Sequence, residues 1–178
     1  MSEQKTKSAA EVESVLAKGI RIFGEPILRK KARPVKKIGE EEKRILEAMA
    51  RLMYEAQGFG LAATQVGIDR QLLVVDTGGG LLRLANPKII KKEGFDVIEE
   101  GCLSLPQVVV KVKRPRKIWM ECLNCDNKII HFEAQDILSR ALQHEIDHLR
   151  GKLIIDYASF RQRLLLKSKL RALKNKRK

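Results

Sequence analysis

The order of hydrophobic patterns along this 178-residue chain predicts an α+β fold in which antiparallel sheets pack around a central helix. Two segments repeat apolar residues at helical spacing, the stretch between them reads as short strands parted by turn residues, and alternating βα units are absent. Residues 1 to 18 are polar, charge-balanced and rich in Ser, Glu and Lys, and read as a frayed or partly helical extension. From Glu40 to Ala56 the residues Ile45, Leu46, Met49, Leu52 and Met53 recur at helical spacing, and Gly58 and Gly60 follow as a stop. The β-rich runs are then Leu72 to Val75, Leu82 to Leu84, Lys88 to Ile90, Val108 to Val112, Ile118 to Leu123 and Ile129 to Phe132, with Gly78 to Gly80 as a turn. Helical spacing returns from Gln135 to Arg150. Gly151 is placed to cap that helix, and Leu153 to Ile155 look like a short strand.

A chain of this length fits one domain with a real core. Apolar residues make up 44% and aromatic residues only 4%, so the core is expected to be aliphatic. Apolar runs such as Leu72 to Val75 and Val108 to Val110 fall far short of the roughly 20 residues a membrane helix needs, so no membrane partner is expected. The N-terminus lacks a signal peptide's apolar stretch and carries Glu3, Glu11 and Glu13, which leaves a cytoplasmic location as the default. Three cysteines make an odd count that suits thiols better than a disulfide framework. The formal charge of +14 is concentrated late: Tyr157 to Lys178 holds nine Lys or Arg and no carboxylate. Such a segment favours polyanionic partners such as RNA, against the plainer reading of a solvated basic tail.

The sharpest chemistry lies in Gln143-His144-Glu145-Ile146-Asp147-His148, which contains His-Glu-x-x-His. Four residues apart on a helix, the two imidazoles point the same way and can share one cation. Ile137, Ala141, His144 and His148 continue one stripe toward the interior. Leu138, Leu142 and Leu149 form a second apolar line, and Arg140, Gln143, Asp147 and Arg150 are expected on the polar side. Two core histidines beside a glutamate, with no cation, would leave donors and a carboxylate to satisfy, so the metal-binding reading is preferred. Glu145, one helical step away from the ligand pair, suits a proton carrier.

Only 30 residues follow His148, with no His or Cys among them and Asp156 the single acid, so a third ligand is sought upstream. Cys102 in Glu99-Glu100-Gly101-Cys102-Leu103-Ser104-Leu105-Pro106 is the best candidate, with Gly101 allowing close backbone approach; taken alone, a buried structural cysteine fits it equally. Three segments together change that balance: Gly58-Phe59-Gly60-Leu61-Ala62-Ala63-Thr64-Gln65, Glu100-Gly101-Cys102-Leu103-Ser104, and Gln143 to His148. In these, in this order, the chain resembles the peptide deformylase family, a likeness that runs from Gly24-Glu25-Pro26-Ile27-Leu28-Arg29 to Asp156. Gln107-Val108-Val109-Val110 departs from the Gly- and Tyr-containing segment common in the family after the second motif.

The resemblance implies a metal-dependent hydrolase that removes the N-formyl group from formylmethionine on newly made polypeptides and releases formate. It implies Cys102, His144 and His148 as ligands of one Fe2+ ion, with Zn2+, Ni2+ or Co2+ as substitutes; the ligand set by itself would fit zinc equally. Three ligands leave a fourth position open. Glu145 is the expected proton shuttle, and Gln65 with the Leu103 backbone N–H the expected oxyanion donors. Gly58 and Gly60 offer backbone to an extended peptide as an added strand. Ile137 and Ala141, with Phe59 or Leu61, are candidates for the methionine pocket, and Glu100 is expected behind the ligands, orienting backbone or Gln65. The domain organisation expected is an extension over 1–18, a catalytic metallohydrolase domain over 19–157 and a basic helix or tail over 158–178. In that tail Phe160, Leu164, Leu170 and Leu173 would form the apolar side, and Arg161, Arg163, Lys167, Lys169, Arg171 and Lys174 would meet ribosomal RNA. A monomer is expected.

Two other functions are compatible with the residues: a zinc metallopeptidase cutting internal bonds, and a basic ribosome- or RNA-binding module with a structural metal. Cys122 and Cys125 at a hairpin tip lack the further ligands of a structural zinc, and His131 reads as a surface or packed histidine. Gly78 to Gly80 lacks the Lys-Ser or Lys-Thr of a phosphate-binding loop.

Overall fold

The computed structural model describes residues 17–175. The expectation for the extension over 1–18 therefore falls almost wholly outside the described residues. Helix α1 (Glu40–Glu55) carries Glu40, Glu41 and Glu42 in its first turn, where carboxylates complement the helix dipole, and the Glu42 carboxylate accepts the Gly39 N–H at 2.9 Å. Of its predicted stripe Ile45, Leu46, Met49 and Met53 are buried and Leu52 is half-buried, and Ala50 is buried beside them. Seven strands follow: β1 (Gly60–Ala62), β2 (Leu72–Val75), β3 (Leu82–Glu93), β4 (Asp96–Glu100), β5 (Val110–Arg114), β6 (Lys117–Leu123) and β7 (Ile129–Gln135). Helix α2 (Asp136–Leu149) and helix α3 (Phe160–Asn175) end the described chain, and short 3-10 turns lie at Pro26–Arg29, Ala63–Val66 and Ile154–Tyr157.

All strand pairs are antiparallel, in a five-stranded sheet of order β1-β2-β3-β6-β7 and a two-stranded sheet β4-β5. The α+β class and the central helix expected from the sequence are what the structure has. Leu61, Leu72, Val74 and Ala85 face α1, whereas Ala62, Leu73, Val75 and Leu84 face Leu142, Ile146 and Leu149 of α2. Strand β2 is thus buried on both faces, which explains its unbroken apolar run. A third cluster joins Leu105, Val108, Val110 and Val112 to Leu153, Ile154, Ile155 and the inner side of α3.

Several local readings change. Leu82–Leu84 and Lys88–Ile90 are parts of one strand, β3, whose register shifts twice, first between Ala85 and Lys88. Asn86, with φ of 50°, and Pro87, which has no N–H to donate, occupy that bulge, and the turn-like residues disguised the continuity. The run expected at Val108 to Val112 is strand only from Val110. Leu153–Ile155 is not a strand: the Asp156 carboxylate accepts the Leu153 N–H at 2.9 Å and closes a 3-10 turn over Ile154–Tyr157. Strands β1 and β4 were not read from the sequence, since one has three residues and the other is exposed at four of its five.

Gly151 ends α2 in the left-handed region at φ 72°, and a Cβ there would stand 2.5 Å from the Arg29 carbonyl oxygen. The segment after the first 3-10 turn docks on this end of α2: Ala32 N–H donates to Leu149 O at 2.9 Å, and Arg29 pairs with Asp156 at 2.5 Å. Helix α3 packs through Leu166, Leu170 and Leu173, while Phe160 and Leu164 are 83% and 62% exposed. The expected apolar side therefore holds for Leu170 and Leu173 but not for Phe160 and Leu164. The spacing 166, 170, 173 keeps one stripe on the helix, and 160 and 164 fall on another.

Candidate functional site

Helix α2 and the loop after β4 meet at one end of a cavity of about 430 Å³. Cys102 Sγ lies 3.2 Å from His148 Nε2, which lies 3.3 Å from His144 Nε2, and the three ligand atoms are all within 4.8 Å of one another. Ligands at about 2.0–2.3 Å around a tetrahedral ion stand roughly 3.3–3.8 Å apart, so the spacing fits a single metal. The electrostatics agree. Burial works against a charge on His144, yet Cys102 and the Glu100 carboxylate push its imidazole up to about 10. Burial and the charges of His144 and Arg114 hold His148 well below the usual histidine range. His148 Nδ1 and Glu145 Oε2 are buried with no hydrogen-bond partner among the described residues.

The cavity is lined by Gly58, Gly60, Gln65, Glu100, Cys102, Leu103, Ile137, Ala141, His144 and Glu145, with Phe59 and Ile98 at exposed positions. Every candidate named from the sequence lines it except His148, which is buried beneath at 1% exposure, and Leu61, which the register of β1 turns toward α1. Ile137 is half exposed at the mouth, and Ala141 and His144 follow inward along α2. Burial pushes the Glu145 carboxyl up to about 7, in part offset by His144 and Arg114. A Cβ on Gly60 would lie 2.5 Å from Glu145 Oε1, so glycine makes the room in which that carboxylate sits. Gly101, expected to allow close approach, instead faces open space.

Gln65 is oriented by its surroundings. Its Oε1 accepts the Ala62 N–H at 2.8 Å, which leaves Nε2 directed at Ser104 Oγ (3.2 Å) and toward Cys102 Sγ (3.8 Å). The segment at Arg21–Phe23 binds both motif loops, with Arg21 N–H donating to Gln65 O at 2.6 Å and Phe23 N–H to Ser104 O at 2.9 Å.

Glu100 does not orient Gln65. Its carboxylate accepts two bonds from Arg114 (2.6 and 2.9 Å) and one from Arg140 (2.6 Å), and lies 3.1 Å from His144 Nδ1. Burial opposes its charge, but His144 and Arg114 hold the carboxyl down to about 2. Arg114 also reaches Asp147 at 2.7 Å, and the Tyr157 hydroxyl donates to the same oxygen at 2.8 Å. Arg140, Gln143 and Asp147 are therefore buried, and only Arg150 of the expected polar side is exposed. Arg114, Arg140, Asp147, Tyr157 and Ser104 were missed by sequence reading. A surplus of charged residues on a helix otherwise covered by core was the available signal.

An α+β domain with a Cys/His/His cluster and an adjacent buried carboxylate on a His-Glu-x-x-His helix defines a metallohydrolase. The sequence model of the family described as polypeptide deformylase matches residues 17–164. The peptide deformylase of Thermoanaerobacter pseudethanolicus is 51% identical over 139 residues, covering 78% of this chain and 87% of that protein. That of Thermotoga maritima is 43% identical over 152 residues, covering 85% and 93%. The crystal structure of peptide deformylase from Thermus thermophilus superposes with a TM-score of 0.84 at 34% identity, covering 89% of this chain and 98% of that one. The chain belongs to the polypeptide deformylase family, and it is a hydrolase of that family. Neither the metallopeptidase nor the RNA-module reading is favoured by these matches.

Proposed function

We propose that this site removes the formyl group from N-formylmethionine at the start of newly made polypeptides, with Cys102, His144 and His148 holding one iron(II) ion. The observation that carries the reading is the convergence of three ligand atoms within 4.8 Å at the end of a cavity that also presents Gln65, Leu103 and Glu145. When bound, the ion supplies Lewis acidity toward a carbonyl oxygen and a water. Glu145 takes a proton from the attacking water and passes it to the leaving amine, a task suited to a carboxyl pushed up to about 7. The Gln65 amide, turned by Ala62 so that Nε2 faces the cysteine, and the Leu103 N–H donate to the oxyanion. Gly58 and Gly60 pair with the extended peptide, and Ile137 and Ala141 form the wall beside the first side chain. Iron(II) suits a mixed thiolate and imidazole set, as zinc, nickel or cobalt would. Incubation with formyl-Met-Ala-Ser should release formate while casein stays intact; casein cleavage without formate would reject the assignment.

The enzyme works in the cytoplasm as a monomer next to the ribosome, with α3 meeting rRNA. Arg161, Lys167, Lys169, Arg171 and Lys174 are all exposed on that helix, and no helix among the described residues is long and apolar enough to cross a membrane. Because Leu166, Leu170 and Leu173 hold α3 to the body, charge removal tests this better than truncation. Arg161→Gln, Lys167→Gln and Arg171→Gln together should abolish salt-sensitive co-sedimentation with ribosomes and spare formate release from a short peptide. Unchanged co-sedimentation would refute the contact.

A further inference from the structure

Arg140 is the one arginine or lysine among the residues lining the cavity, and it is 7% exposed. Its Nη1 donates to Glu100 Oε1 at 2.6 Å and to Val112 O at 3.0 Å, and its Nη2 to Asp96 O at 3.2 Å. One guanidinium on α2 therefore binds the first residue of β4, the last residue of β4 and the middle of β5. Strand β4 leads directly into Gly101-Cys102, and Glu100 at its end faces the imidazole of His144. Arg114 grips the same carboxylate from the core side and is itself anchored to Asp147.

From this geometry we infer that Arg140 is a positioning residue for the metal centre: it locks the two-stranded sheet to α2, so that the Cys102 loop and the His144 ring keep a fixed separation. The inference rests on the assignment of Cys102 and His144 as ligands of one ion. Arg114 alone keeps Glu100 paired when Arg140 is lost, so the buried carboxylate is not stranded. What goes is the fork that spans three acceptors on two strands. The imidazole then keeps its bond to Glu100, but the start of β4 and the middle of β5 lose their tie to α2, so the strand that leads into the Cys102 loop is held at one end only. Removing a partner that orients a ligand typically costs about 10- to 100-fold in metal affinity. Lysine has three donors on one nitrogen but no planar fork, so it cannot reach the acceptors of both guanidinium nitrogens together.

The test uses the full chain loaded with cobalt(II), whose thiolate charge-transfer and ligand-field bands report the coordination directly and without substrate. Arg140→Met should shift those bands and speed cobalt loss to a chelator by about 10-fold or more, with Arg140→Lys in between. Asn86→Ala, which breaks the 2.7 Å bond to Val35 O away from the site, should lower Tm and leave both the bands and the loss rate unmoved. If Arg140→Met fails to fold, Arg140→Lys decides. Bands and loss rates in the folded variants equal to the unsubstituted protein would overturn the inference alone. Failure of the unsubstituted protein to show a cobalt–thiolate band would overturn the metal site as well.

Discussion

Replacing Gly60 by alanine probes the placement of the Glu145 carboxylate, and kcat at saturating substrate separates that effect from the pairing of Gly60 with the peptide. The new Cβ would stand 2.5 Å from Oε1, 2.8 Å from Cγ and 2.9 Å from Cδ of Glu145, where ordinary contact begins at about 3.4 Å. Glu145 must therefore retreat by roughly 1 Å from its place, and at 4% exposure it is packed on most sides and can move only toward the cavity it lines. Overpacking of this kind costs about 1–3 kcal/mol, which lowers Tm by about 2–4 °C per kcal/mol in a chain of this size. A displacement of about 1 Å in a group that moves the proton costs on the order of 100-fold in rate. Gly58→Ala is the matched control, because its Cβ meets Leu103 Cδ1 at 2.8 Å, the far end of a side chain that can rotate away. Formate release from formyl-Met-Ala-Ser at saturating substrate, with metal content and thermal unfolding measured alongside, should show kcat falling about 100-fold in Gly60→Ala and much less in Gly58→Ala. A Gly60→Ala enzyme with unchanged kcat and full metal would refute the placement of Glu145 as the proton carrier.

Glu145→Ala should retain metal while losing turnover by about 10²- to 10⁴-fold; near-normal hydrolysis of formyl-Met-Ala-Ser would contradict its role. In Cys102→Ser, a hydroxyl replaces the thiolate, so metal content and activity should fall together, and full occupancy would point to another third ligand. Acid should loosen the join between Arg29 and the turn after α2. Although burial raises the Asp156 carboxyl, Arg29 and the Leu153 N–H outweigh it and hold it below the usual carboxylate range. A depressed folded-state value means stability that is present above the unfolded value and is lost as pH falls through the folded one. The acid limb of a Tm-against-pH curve should therefore flatten in Asp156→Asn, and an unchanged acid limb would count against the pair.

What was legible in the sequence was what local spacing determines. His144 and His148 share a face because four residues make about one helical turn, and β2 reads as a strand because Leu72 to Val75 is a short apolar run bounded by turn residues. Cys102 could be placed only through the motifs around it. The partners of Glu100 were illegible for a different reason: Arg114 sits 14 residues away on the next strand and Arg140 sits 40 away on α2, so their meeting depends on the tertiary fold. Arginines also read as surface until a buried carboxylate is there to receive them. The inner side of α3 failed similarly, since Leu164, Leu165 and Leu166 are consecutive leucines and only packing tells which one turns inward.

The docking of Arg29 and Ala32 on the far end of α2 also sets an order of events in time. The Arg29 side chain meets Gly151 and Asp156, which follow it by 122 and 127 residues. At about 5–20 residues per second, the arm made first waits on the order of ten seconds for the surface it covers to be synthesised. Leu28, 1% exposed in the finished protein, packs in a cluster with Leu105, Val108 and Leu153 to Ile155, all of which are made well after it. Closure of the domain is thus one of its longest-range contacts and among the last to form, a topology that favours slow folding.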